Sequence, residues 1–186
     1  MNFFLGIIPD ESANHKVRKV IGEIGRVFDG QQIPVRWVKP DTFHVTLLFV
    51  GKDISPLKNF LLKNKVQKIS FKPFKLSFKN VRLGISRRYK ELVYLSVEEG
   101  DEQMRLITEQ LDLSGKIRGA NNFIPHLTLG RVSKELSEEE YRNLSKDLEM
   151  VSKILDIQDI VFEVKEIYLI KSNNQNYDIV TNCSAC

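Results

Sequence analysis

Two short stretches of this 186-residue chain hold side chains able to move protons, and they share one pattern. His44-Val45-Thr46-Leu47 and His126-Leu127-Thr128-Leu129 both read His, apolar, Thr, apolar. The chain contains only three histidines and five threonines, so two such matches are expected in roughly 0.2% of shuffled sequences. A matched pair of imidazoles suits one class of chemistry. An ordinary pKa near 6.5 lets one ring be neutral while its partner is charged. Opening a cyclic phosphodiester on a ribose needs that combination: one group takes a proton from attacking water, and another gives one to the departing sugar oxygen. The hydroxyls of Thr46 and Thr128 would donate hydrogen bonds to the non-bridging oxygens. Arg131, just past the second stretch, would bring a guanidinium to the charge that collects there. The scheme calls for no metal or nucleotide cofactor. A metal hydrolase is the weaker reading, because no carboxylate stands at ligand spacing beside either histidine.

The elements that must position these groups are strands. Both stretches are rich in β-branched, aromatic and aliphatic residues and end at glycines, Gly51 and Gly130. On a strand, residues two apart share a face about 6.5 Å from one another, so each histidine stands beside its threonine. Val45 and Leu47, or Leu127 and Leu129, anchor the other face. Two such strands facing each other would cage a phosphate. Uninterrupted alternation puts Phe49 and Arg131 on the face away from the histidines, so only a bulge or strand end brings them to the cleft.

Taken in order, the chain opens with a strand over 2–8. A helix follows, capped near Asp10, with Val17, Val20, Ile21, Ile24 and Val27 at helical spacing, and His15 falls among polar neighbours on it. A short strand at 36–39, containing Trp37, leads through Pro40-Asp41 into the first histidine strand. A helix from Ser55-Pro56 to about 68 carries Leu57, Phe60, Leu61 and Val66 as its apolar residues, and a long strand over 71–83 precedes a basic loop at 84–90. The second half repeats the order: strand 92–97, helix 101–113, the second histidine strand after 115–122, helix 138–151, and closing strands at 160–170 and 177–181 around a polar turn at 172–176. This predicts an α+β fold of two pseudo-symmetric lobes, each an antiparallel sheet packed with helices, with the cleft between them. One domain then covers 1–186, with approximate halves 1–90 and 91–186.

Composition is that of an ordinary globular protein, 42% hydrophobic and 28% charged. The apolar runs fall far short of the ~20 residues that span a bilayer, and the amino terminus lacks a secretory signal, so the expected setting is cytoplasmic, with a monomer and no membrane. Net charge is +4, but between Lys58 and Lys90 there are eleven basic residues and no Asp or Glu, which leaves the remainder net acidic. That segment is expected to be an electrostatic footprint for a polyanion. Cys183 and Cys186 form a lone C-x-x-C, read as an exposed tail with no role.

At the two histidine stretches the sequence resembles the two-histidine phosphoesterase superfamily, and within it the RNA 2′,3′-cyclic phosphodiesterase family, also called 2′-5′ RNA ligase. The likeness extends to Asn2-Phe3-Phe4-Leu5-Gly6-Ile7, to the lead Arg36-Trp37-Val38-Lys39-Pro40-Asp41-Thr42-Phe43, and to Pro125 through Val132. It implies that His44 donates the proton to the leaving 3′ oxygen and that His126 activates water. The product would be a 2′-phosphomonoester. It also implies that Thr46, Thr128 and Arg131 bind the phosphate and that Phe49 stacks on the base. The expected partner is RNA ending in a 2′,3′-cyclic phosphate. Two alternatives remain open: an RNA-end-binding module without turnover, and a two-histidine phosphoesterase acting on another cyclic nucleotide.

Overall fold

The structure is a computed structural model that describes residues 1–86, 89–111, 124–173 and 176–186. Arg87 and Arg88 of the expected basic loop, the whole 115–122 lead to the second motif, and Asn174-Gln175 of the expected polar turn lie outside the described residues.

In chain order the elements are β1 (Asn2–Ile7), α1 (Glu11–Gly30), β2 (Val35–Trp37), β3 (Val45–Lys52), α2 (Pro56–Val66), β4 (Phe74–Leu83), β5 (Leu92–Glu99), α3 (Asp101–Gln110), β6 (His126–Val132), α4 (Glu138–Ile154), β7 (Val161–Val164), β8 (Glu166–Asn173) and β9 (Asn176–Ser184). Local chemistry sets the helix starts. The Asp10 carboxylate accepts from the Ala13 amide at the head of α1, and Ser55 caps α2 ahead of Pro56. Ser137 and Glu140 close a reciprocal capping box on α4.

All strands are antiparallel in one curled sheet ordered β7-β4-β5-β6-β3-β1-β8-β9, with β2 beside β6. The middle of the sheet is pinched, since β3 and β6 share the single ladder pair Val45–Leu127. This seam divides the sheet into two lobes with the histidine strands facing across it. Each lobe takes strands from both sequence halves: β4 runs between β5 and β7, while β8 runs between β1 and β9. The helices are exchanged too. α1 packs against α4 and β7, and α3 against β3.

One hydrophobic core lies under the sheet and takes in the inner faces of all four helices, from Val17, Ile24 and Phe28 of α1 to Leu144 and Leu148 of α4. Phe4, Leu92, Tyr94 and Ile170 are also buried but lie outside this core, on the opposite, open face that carries the cleft. His15 is exposed.

Four features differ from the sequence expectation. The single strand expected over 160–170 is two strands that serve different lobes, because the phase of burial slips at Lys165-Glu166, between Val164 and Ile167. On α2, Leu57, Phe60 and Leu61 are exposed, and Leu62 and Val66 make the buried contact. The basic segment does not form one footprint. The α2 lysines sit with β9 on one lobe, whereas Lys75, Lys79 and Lys90 on the other lobe are paired with Glu99, Glu98 and Glu138. The carboxyl terminus is no loose tail either: Cys183 is buried on β9 with its thiol against the Ile69 carbonyl, and only Cys186 is exposed.

Gly130 of β6 pairs with Trp37 of β2 and lies tightly against that strand. A Cβ there would lie 2.8 Å from the Trp37 ring and 2.9 Å from Val35. Gly130→Ala is therefore expected to destabilise the protein by about 1–3 kcal/mol, the usual range for overpacking a filled site. Thermal unfolding checks this, and a Tm equal to that of the parent would show that β2 yields freely.

Candidate active site

The turn Pro40–Thr42 buries Phe43 and delivers His44 one residue ahead of β3. The His44 Nδ1 lies 2.9 Å from the Thr42 carbonyl oxygen, and the His126 Nδ1 lies 2.8 Å from that of Ile124. A carbonyl only accepts, so each Nδ1 carries the proton and donates it. Each ring is thereby fixed by the backbone two residues earlier, with Nε2 as the free nitrogen on its far edge. Continuing the antiparallel count from Val45–Leu127 sets His44 opposite Thr128 and Thr46 opposite His126. Both threonines are half-buried, and their hydroxyls have no protein partner among the described residues.

Burial is the main reason that both histidines titrate below the ordinary value. At His44 a charge on His126 adds to this, and at His126 the Arg131 guanidinium does; the hydrogen bonds to the carbonyls pull the other way. His44 therefore senses His126 across the seam.

Bulges bring Phe49 and Arg131 to the histidine face. On β3 the pairing with β1 passes from Gly6–Thr46 to Leu5–Leu48 and then Phe4–Phe49, skipping Leu47. The skip returns Phe49 to the face of Thr46, opposite Phe4, where it is 60% exposed and open to stacking. On β6 the pairing with β5 passes from Tyr94–Thr128 to Val93–Gly130, skipping Leu129, and this turns Arg131 toward His126. Arg131 Nη1 donates to Glu91 Oε1 at 2.9 Å.

The structure adds neighbours that the motifs did not point to. Tyr177 meets the His44 ring edge-on at 5.2 Å, with its hydroxyl 3.2 Å from Nδ1, and burial pushes that phenol up to about 12. Phe4 covers His44 at 4.6 Å. Tyr94 meets His126 edge-on at 5.4 Å, and Arg82 stands opposite Tyr94 on the open face. The strand expected over 92–97 contains Tyr94 without marking it, and nothing in the sequence tied Tyr177 to His44, 133 residues away.

The arrangement can hold a phosphoryl group between two imidazoles, with hydroxyls and a guanidinium around it. Among known proteins, the family model of the 2′-5′ RNA ligase superfamily matches residues 8–176. A protein of Archaeoglobus fulgidus named RNA 2′,3′-cyclic phosphodiesterase is 29% identical over 140 residues, 74% of this chain and 76% of that protein. One of the same name from Aquifex aeolicus is 25% identical over 180 residues, 90% of this chain and 93% of its own. The fold is similar to that of E. coli LigT in apo form, with a TM-score of 0.69 at 18% identity over 99% of this chain and 96% of that one. It is also similar to Kluyveromyces marxianus Usb1 with uridine monophosphate, with a TM-score of 0.65 at 10% identity over 96% of both chains.

Proposed function

The chain belongs to the 2′-5′ RNA ligase superfamily, and from that premise we propose that it is an enzyme opening 2′,3′-cyclic phosphates at RNA ends to leave 2′-phosphomonoesters. Water attacks phosphorus in line with the 3′ oxygen. His126 Nε2 takes the proton of that water as its oxygen bonds to phosphorus. The bond from phosphorus to the 3′ oxygen breaks, and the proton on His44 Nε2 passes to that oxygen. Thr46 and Thr128 donate to the non-bridging oxygens, Arg131 balances their charge, and Phe49 stacks on the terminal base. A 5′-hydroxyl entering in place of water would, by the same proton movements, leave a 2′-5′ linkage.

One observation supports this reading above the rest: two imidazoles on strands that meet at the seam, each tied through Nδ1 to a backbone carbonyl two residues before it, keep Nε2 available. The names of the relatives agree with it. We take the RNA to be met by a monomer in the cytoplasm; no helix among the described residues is long and apolar enough to cross a membrane.

Incubation with a short RNA ending in 2′,3′-cyclic phosphate is expected to give a 2′-phosphate end, at a rate unchanged by a chelator because the scheme routes no step through a metal. A 3′-phosphate product would overturn the assignment of the leaving oxygen. Tight binding of the RNA without turnover would favour an end-binding module.

A further inference from the structure

Beside the histidines lies a recess of about 620 Å³ walled by Arg36, Trp37, Lys39, Thr42, Arg131 and Tyr177. It adjoins the seam through two residues of the site, since Tyr177 touches His44 and the charge of Arg131 is felt at His126. Among the described residues that line it, Arg36, Lys39 and Arg131 are cationic and none carries a carboxylate. A larger cavity of about 1100 Å³ shares Arg36 and Arg131 but is balanced by Glu91, Glu135 and Glu138 against Lys90 and Lys134.

Register sharpens the contrast. Arg36 of β2 stands directly opposite Arg131 of β6, and like charges facing each other across strands are unfavourable. Glu91 relieves Arg131, but Arg36 and Lys39 have no acidic partner among the described residues, and both side chains are exposed. Local charge conflict that the fold leaves unresolved is expected where a ligand resolves it. The recess is also of a size that takes a nucleotide.

We propose that this recess is a second phosphate site, in which Arg36 and Lys39 hold the phosphodiester on the 5′ side of the cyclised nucleotide. The site makes the end of an RNA strand, rather than a free cyclic mononucleotide, the preferred substrate. The inference rests on the reaction proposed above, and it adds what that reaction leaves open, namely how many nucleotides are read.

The test compares kcat/KM for a nucleoside 2′,3′-cyclic phosphate with that for a trinucleotide carrying the same cyclic end, in the parent protein and in Arg36→Gln, Lys39→Gln and the double variant. The parent is expected to favour the trinucleotide by on the order of tenfold, the scale of one charged hydrogen bond, and the double variant to lose most of that ratio. A second measurement follows the binding of a trinucleotide ending in 2′-phosphate across a salt series. Removing one cation that pairs with a phosphate should flatten the plot of log K against log salt by about 0.7. A merely structural role would lower both substrates together and leave the ratio intact, and that result overturns the site. If the parent turns over neither substrate, the proposed reaction fails, and the salt slope alone then decides whether the recess binds phosphate.

Discussion

Replacing either His44 or His126 by alanine is expected to lower kcat by roughly 10²–10⁴, the usual yield of one positioned acid or base. The double variant should be little worse than either single one, because the two groups serve one displacement and act as a unit. Among the described residues each ring is tied to the structure only by hydrogen bonding at Nδ1 and by ring contacts, so the losses should appear in kcat while the protein stays folded by circular dichroism. The pH profile carries the sharper sign. Burial disfavours the charged imidazole and lowers both pKa values. The base must be neutral, so kcat/KM rises with pH through one lowered value; the acid must be charged, so it falls through the other. The bell should therefore be centred on the acid side of 6.5. A maximum well above 7 would contradict the role given to burial, and full activity in either alanine variant would end the case for the pair.

Arg131→Ala is expected to cost about 10²–10³ in kcat, the range for removing one donor from a site where charge develops. Strand geometry is the reason: without the skip at Leu129 the guanidinium would point into the core, and with it the group lies on the histidine face, steadied by Glu91. Arg131→Lys should recover only part of the loss, since an ammonium lacks the planar fork. Glu91→Gln should do less harm than either, because it removes only the steadying partner. Steady-state kinetics on one cyclic-ended RNA rank the three variants. Equal rates for Arg131→Ala and the parent would remove Arg131 from the phosphate.

The bulges also mark where sequence reading stops. The two histidine stretches, their strands and the α+β order were legible because period-two alternation and rare residue types are written locally. Whether Phe49 and Arg131 reach the cleft was not legible, because a skipped residue is defined by a partner strand: Leu47 by β1 and Leu129 by β5. The covered face of helix α2 was illegible for another reason. Leu57, Phe60 and Leu61 form one helical stripe and Leu62 with Val66 another, and only the sheet beneath decides which is covered. The break between β7 and β8 did leave a trace, the adjacent polar pair Lys165-Glu166 inside an otherwise mostly apolar run. The partners of the lysines between 58 and 90 left none, since Glu98 and Glu99 lie outside that window and come alongside only through the pairing of β4 with β5.

The exchange of strands between lobes bears on how the chain can be divided. A gene cut between residues 90 and 91 would yield an amino-terminal fragment holding β4 without β5 or β7, and a carboxyl-terminal fragment holding β8 without β1. Neither fragment can complete a lobe from its own residues, yet together they contain every strand that both require. Expressed apart they should be insoluble, and co-expressed they should reconstitute one particle, as interlocked halves do and tandem beads do not.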